Sequence, residues 1–451
     1  MTWHVACLAA MLAFCGVATA AEPATQTAQS TPATQGAGPK KIAILANVWS
    51  ANCHANVIAT KFFTGFPIDT GLAAPQVQVA SVWIAQPSDD DVGHKLAEKA
   101  GVKVYPTITE ALTLGGKKLA VDGVVYIGQH GTFQPSRFNQ RMYPHLSHLE
   151  EVFRVFDTSD RSVPVYNDKE LAYGWLDAKW IYDRARELKA PLMAGSVIPL
   201  TYRRPMVVHP IGTEIKEAVA IGYGGLDAYA FHALEVLQCM LERRKGGETG
   251  VSSVTYVAGP AVYEAAKEGK FSMELAEAAC AQAGGKKPGT MADHETGPNA
   301  PVAVLVSYRD GTKGTVIIAT RYVGEFWGYA AKAGDQTVAC EFVAPPKPIY
   351  SYFSYLGLNI EKMIQTGKPQ TPVERTLMTT GILDAAVRSR ANQGKTAQTP
   401  YLNIKYKPLS LDPIWPAASE PSGASVGPWP PTGFEFIMEQ AKASPRQKKA
   451  K

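Results

Sequence analysis

From Lys41 onward the apolar positions fall into short unbroken runs, set apart by stretches with helical spacing. The first run is "IAILA" (42–46), followed by "VQVASVWIA" (77–85), "VDGVVYIG" (121–128), "VPVYND" (163–168) and "APLMAGSVI" (190–198). Runs of this length that are apolar on both faces predict strands covered on both sides, as in a parallel sheet. Between them, "CHANVIATKFF" (53–63) and "DDDVGHKLAEKAG" (89–101) read as helices, and a further helix is predicted from Leu171 to Leu188. In the second of these, Asp89 to Asp91 are placed in the first turn, where acids favour the helix dipole, and Gly101 is the stop. "VYPTITEALTLGG" (104–116) reads as a short strand and helix. Strands alternating with helices predict an α/β fold built on a doubly wound, Rossmann-type parallel sheet.

After Pro205 the pattern changes. "EIKEAVAIGYGG" (214–225) leads into a helix from about Asp227 to Arg244, which ends in the glycine-rich "KGGETG". Then come "VSSVTYVAG", "PVAVLVSYRDGTKGTVIIAT" and "QTVACEFVA", the middle one a hairpin turning at Arg309, Asp310 and Gly311. Val373, Leu377, Met378, Ile382, Leu383 and Val387 carry the spacing of a late amphipathic helix. The second part is therefore expected to be α+β, an open antiparallel sheet with helices on one side. The expected division is 40–204 for the parallel domain, 205–408 for the α+β domain, which carries substrate and oligomer contacts, and 409–451 for a loosely ordered Pro/Ser-rich tail.

Composition adds the ends of the chain. The 451 residues, 46% hydrophobic and 19% charged, suit a folded two-domain protein. Five of the excess positive charges lie in the last ten residues, so the net charge of +5 belongs to a tail and not to a nucleic-acid-binding body. An apolar run from Val5 to Val17 followed by Ala18-Thr19-Ala20 predicts a cleaved signal peptide over 1–20, and the Thr/Gln/Ala/Pro-rich 21–39 a flexible linker. The expected location is periplasmic or secreted, with no membrane span after cleavage. Cys53, Cys239, Cys280 and Cys340 form no CxxC pair or Cys/His cluster, so no zinc site is expected; an oxidising compartment leaves a disulfide open beside four buried thiols.

Three stretches resemble the Gfo/Idh/MocA oxidoreductases (glucose–fructose oxidoreductase, inositol dehydrogenase). "VPVYNDKELAYGWLDAKWIYDRARELKAPLMAG" is similar to the segment bearing the family's Glu-Lys-Pro motif, here Asp168-Lys169-Glu170. "GGLDAYAFHALEVLQCML" is similar to its Asp…His-x-x-Asp helix, with His232 and Glu235 at the histidine and second acid; Asp227 departs from the pattern, five residues before the histidine where the family's first acid lies four before. "LGLNIEKMIQTGKPQTPVERTLMTTGILDAAVRSRANQGK" is similar to its closing helices. The resemblance spans roughly 40–408. It implies NAD or NADP on the first domain, a sugar, cyclitol or related polyol against the second sheet, and a lysine and histidine handling the hydroxyl proton during hydride transfer. It also implies self-association through the exposed sheet face as a possible homo-oligomer.

The residues themselves give Lys169 a place at the carboxyl end of a parallel strand, where open α/β sheets bind ligands. His232 and Glu235, three apart on a helix, share a face, and a carboxylate orienting an imidazole makes a usable base. Gln129 and His130 end the strand at 121–128, Arg203 follows the last parallel strand, and Tyr223, Tyr229 and Trp327 offer flat faces to a sugar ring. Two cofactor signals are altered. The turn after the first strand holds Ala46, Asn47, Ser50 and Ala51 where a dinucleotide turn has glycines, and the second strand ends at Gln86 where an acid would meet the ribose. Two other readings therefore stay open: a cofactor-free relative serving as a carbohydrate-binding protein, lyase or isomerase, and a metal-assisted site from His130, His232 and Glu235.

Overall fold

The structure, a computed structural model, describes residues 38–344, 350–408 and 414–416. The signal peptide over 1–20, nearly all of the 21–39 linker and nearly all of the 409–451 tail lie outside the described residues.

The first half runs β1 (Lys41–Ala46), α1 (His54–Ile58), α2 (Lys61–Thr64), β2 (Phe66–Ile68), β3 (Gly71–Ala73), β4 (Gln78–Ile84), α3 (Val92–Lys99), β5 (Lys103–Val104), α4 (Ile108–Thr113), β6 (Gly123–Ile127), α5 (His145–Ser159), β7 (Val165–Asp168), α6 (Trp175–Glu187) and β8 (Leu192–Gly195). The apolar runs pair as six parallel strands in the order β5-β4-β1-β6-β7-β8. Ile42 to Ala46 and Val124 to Ile127 are fully buried, as strands covered by helices on both faces must be. The strand order reverses beside β1, which opens a crevice at the carboxyl ends there.

Local chemistry moves several helix boundaries. The helix expected over 53–63 is broken into α1 and α2, and the buried Lys61 ammonium donates back to the Val57 carbonyl across the break, 2.6 Å. Asp91 is not inside α3 but caps it, accepting from the His94 N–H at 2.7 Å, a cap of about 1 kcal/mol. The helix expected from Leu171 starts only at Trp175; Leu171 lies before it and donates its N–H to the Thr380 hydroxyl at 3.2 Å. Helix α5, unforeseen in the pattern, buries Leu149, Val152, Phe153 and Phe156.

The second half runs β9 (Tyr202–Arg204), β10 (Ile215–Gly222), α7 (Ala230–Leu241), β11 (Val251–Ala258), α8 (Pro260–Lys267), α9 (Met273–Cys280), α10 (Met291–His294), β12 (Val302–Tyr308), β13 (Lys313–Ile318), α11 (Thr320–Val323), β14 (Gly328–Ala333), β15 (Gln336–Val343), α12 (Phe353–Thr366), α13 (Val373–Ala391) and β16 (Ala397–Gln398). Its open sheet has the order β16-β11-β12-β13-β10-β14-β15-β9. The β12–β13 hairpin turns where expected, and every pairing is antiparallel except β10 with β13.

This sheet is covered on both faces. Along β10 the side chains alternate: Ala218 and Ala220 join the main core with α7 and α13, while Val219 and Ile221 join a second core with Leu275, Ala276 and Ala279 of α9. Toward the sides of the sheet, β11 and β15 mix buried with half-exposed positions. Cys53, Cys239, Cys280 and Cys340 are free, buried thiols.

Truncating Leu275, 3% exposed, to alanine is expected to lower the unfolding free energy by about 2–5 kcal/mol. Urea denaturation checks this, and a change below about 0.5 kcal/mol, the usual size for a surface site, means that α9 does not seal the sheet.

Candidate functional site

The parallel strands deliver their last residues to one edge. At the end of β7, Asp168 accepts from or ion-pairs with His54 of α1, Nδ1 to Oδ2 2.6 Å. The next residue, Lys169, has φ +61°, a left-handed conformation that is uncommon for lysine and held by a bridge to Gly195. Its buried ammonium donates to the Ala228 carbonyl just before α7, 3.0 Å, and lies 3.9 Å from Glu170. Glu170 in turn accepts from Gln129 on one oxygen, 3.2 Å; the other, which faces the Lys169 ammonium at 3.9 Å, is buried and accepts no hydrogen bond. At the end of β8, the Ser196 hydroxyl meets His232 Nδ1 at 2.7 Å and accepts from the Ile198 N–H at 3.0 Å. With a second lone pair and its own proton, that hydroxyl can hold either tautomer of the ring. Burial first, then the nearby Lys169 and His54 charges, hold the His232 imidazole well below its ordinary range. It is therefore neutral at physiological pH.

An aromatic wall stands beside His232. Its ring centroid is 5.4 Å from that of Trp327, which stacks with Tyr229 at 17° and lies 4.7 Å from Tyr223. His130, with φ +66°, brings its ring within 5.1 Å of His54. Lys169, Ser196, His232 and these rings thus share a cleft between the strand ends and the first turn of α7. A neutral imidazole, a hydroxyl and an ammonium there can accept a proton from, and hydrogen-bond, a substrate hydroxyl.

Other expected residues lie elsewhere or do other things. Glu235 does not orient His232. Its carboxylate accepts from the Thr379 hydroxyl at 2.7 Å, and burial pushes its pKa up to about 7. Three residues along the helix from His232, it meets α13 instead of the imidazole. The metal-assisted trio is accordingly not assembled: His232 is held by Ser196 and Glu235 by Thr379, and no cluster of three metal-ligating side chains occurs among the described residues. Arg203 does not face the cleft. Its guanidinium lies between Phe342 and Trp415 and donates to the Val207 and Pro199 carbonyls. Asp227 accepts the Arg141 N–H at 2.9 Å, tying the loop after β6 to the start of α7.

The cofactor edge is filled from inside. Ala46 is the buried end of β1, and Ser50 is half-buried in the turn. Trp49, fully buried, occupies the turn and donates to the Thr60 hydroxyl at 3.3 Å. Asn47 donates to the Gly128 carbonyl and leaves its own side-chain oxygen buried without a partner. Gln86 grips Thr132 twice, accepting its N–H at 2.8 Å and donating to its carbonyl at 3.2 Å. This clasp joins the loop after β6 to the end of β4. The crevice thus gathers its polar groups on the Lys169 side and is bridged by the chain itself on the Gln86 side.

Sequence reasoning did not single out Ser196 as a site residue, although a hydroxyl one residue beyond a parallel strand is placed by the same rule that placed Lys169.

Scanned against protein-family models the sequence gives no match, and no curated protein sequence matches it. Solved structures do. GenD2 from gentamicin A biosynthesis, in complex with NAD, is similar at TM-score 0.53 and 15% identity, over 82% of this chain and 99% of its own. Scyllo-inositol dehydrogenase from Lactobacillus casei is similar in its apo form, at TM-score 0.50 and 11% identity over 80% of this chain and 98% of that one. The same enzyme with NAD(H) and scyllo-inositol gives TM-score 0.50 and 10% identity over 80% and 99%. The structural neighbours are thus inositol dehydrogenase and related NAD-binding proteins, and at these identities the likeness is one of fold.

Glu235 binds its proton more tightly folded (about 7) than unfolded (4.5). Its contribution is therefore full below about pH 4.5 and lost as pH rises through 7, by up to about 3 kcal/mol. Glu235→Gln is expected to flatten the stability profile between those limits; urea midpoints measured at pH 5 and 7.5 that fall equally in both proteins would contradict it.

Proposed function

We propose that this protein is an NAD(P)-dependent oxidoreductase that transfers hydride between a nicotinamide and a secondary hydroxyl of a small sugar, cyclitol or related polyol. The observation that carries the reading is the convergence of Lys169, Ser196 and His232 at the ends of β7 and β8, beside the crevice where this strand order binds its ligand. The nicotinamide, when bound, supplies the hydride acceptor. Gln129, His130 and Asp168 would border it and Ser50 would line its approach, whereas Ala46 and Asn47 are fully buried beneath the turn.

The chain's residues supply the rest. His232, neutral, takes the hydroxyl proton while Ser196 steadies its ring. Lys169 hydrogen-bonds the reacting oxygen and favours its negative charge. Tyr229 and Trp327 set a flat apolar face under the ring. Admission of an adenosine half requires Gln86 to release Thr132. Two hydrogen bonds of that kind net about 1–3 kcal/mol, well below the roughly 8 kcal/mol of a micromolar ligand. The clasp slows exchange more than it prevents binding, which suits an exported enzyme that keeps its cofactor between turnovers.

The buried Trp49 in a glycine-free turn, together with the clasp, favours a second reading, a cofactor-free polyol-binding protein, lyase or isomerase.

Mass spectrometry of the denatured supernatant of the mature protein is expected to reveal a stoichiometric nicotinamide dinucleotide. Its absence, with no thermal shift in millimolar NAD or NADP, removes the oxidoreductase reading in favour of the second. Lys169→Ala is expected to reduce kcat/KM by about a hundredfold or more with an unchanged circular dichroism spectrum; an unaffected rate takes Lys169 out of the site.

A further inference from the structure

Arg203, misplaced by the sequence reading, raises a problem of its own. It is 2% exposed. Phe342 and Trp415 cover its guanidinium at 4.8 and 4.7 Å, two of its nitrogens donate to main-chain carbonyls, and Nε is buried with no partner. No carboxylate pairs with it among the described residues. Burial first lowers its hold on its proton; the Cys239 and Cys340 thiols nearby act against that, and the guanidiniums of Arg375 and Arg243 add to it with its own sign. A buried charge is ordinarily matched by an opposite one, because leaving it unmatched is strongly destabilising.

All three arginines line one cavity of about 50 Å³ between β9, the end of α7 and the start of α13. The one carboxylate in its wall, Glu242, is already committed. It receives Arg375 bidentately at 2.9 and 2.6 Å, and the Tyr406 hydroxyl at 2.9 Å. Among the described residues, two guanidinium charges therefore remain without a paired carboxylate at the cavity. Thr371 and Pro372 bring the N-terminus of α13 to the same wall. That end of a 19-residue helix carries the positive pole of its dipole and its unpaired N–H groups.

We propose that this cavity binds a small inorganic anion, a halide or one tetrahedral oxyanion, as the counter-ion of Arg203 and Arg243. The space holds a few water-sized groups, enough for chloride or phosphate and far too little for a sugar or a nucleotide. The anion ties β9 to both α7 and α13. It acts on stability, at a place separate from the cleft that holds Lys169 and His232.

The test is thermal unfolding of the full chain at constant ionic strength in sodium gluconate, with chloride or inorganic phosphate exchanged in stepwise. A saturable rise in Tm with either anion is expected, and which of the two acts distinguishes halide from oxyanion. In Arg243→Gln, at the half-exposed rim, the half-maximal concentration is expected to rise roughly tenfold or more, and in Arg203→Met the effect disappears. Equal Tm in all three salts, or a rise that Arg243→Gln leaves undiminished, overturns the proposal. Should Arg203→Met fail to fold, the Arg243→Gln titration decides alone.

Discussion

Three threonines on α13 hold the cleft together. Thr376 donates to the Ala194 carbonyl at 3.1 Å, Thr379 to Glu235 at 2.7 Å, and Thr380 accepts the Leu171 N–H at 3.2 Å. At spacings of three and four they sit on neighbouring turns of one helix. Their partners are the end of β8, helix α7 and the segment just after Lys169. One rod thereby fixes the relative positions of the elements that carry Ser196, His232 and Lys169. Each bond nets only about 1 kcal/mol, but any orphaned partner would be a buried polar group, so the register is strongly specified. Gly195 completes the arrangement: a Cβ there would stand 2.7 Å from the Thr376 hydroxyl and 2.8 Å from the Glu235 carboxylate, and its φ is +119°.

The same packing divides the charged groups by role. Arg375 and Glu242 satisfy each other deep at the start of α13, so Glu235 has no ion-pair partner of its own; burial raises its affinity for a proton, and the nearby Arg375 charge and the Thr379 bond offset that only in part. His232, buried, with Lys169 and His54 nearby and no carboxylate on its ring, is driven the other way. A carboxyl raised to about 7 and a neutral imidazole on one helix are thus products of where each side chain ends, and only the imidazole ends in the cleft.

Much of this was legible in the chain. Continuous apolar runs such as Ile42 to Ala46 mark buried parallel strands because nothing polar can be tolerated on either face, and the strand-end rule then locates Lys169. What the pattern could not supply was the partner of a correctly identified face. Glu235 shares a face with His232, but that face is shared between the cleft and α13, and only the tertiary packing decides which side chain meets which. Arg203 sits at a strand end by sequence, yet β9 pairs with β15 in the other sheet, and Phe342 draws its guanidinium away from the cleft. The break between α1 and α2 was hidden because the burial of Lys61 depends on its own return bond to Val57.

The turn after β1 is altered less in volume than in where that volume comes from. A dinucleotide turn leaves space by having no side chains; here Trp49 fills the turn from beneath, and the glycine has moved to its neighbour. A Cβ at Gly93 would stand 2.7 Å from the Trp49 ring, and one at Gly131, φ +101°, 2.8 Å from the Gln86 side chain. Glycine is therefore still required around this crevice, on α3 and on the loop after β6, where it lets those segments close on the turn and on Gln86. The inner side of the crevice is settled by this packing. The outer side is left to the half-buried Val48, Ser50, Ala51 and Asn52 and to the Thr132 loop held by two hydrogen bonds.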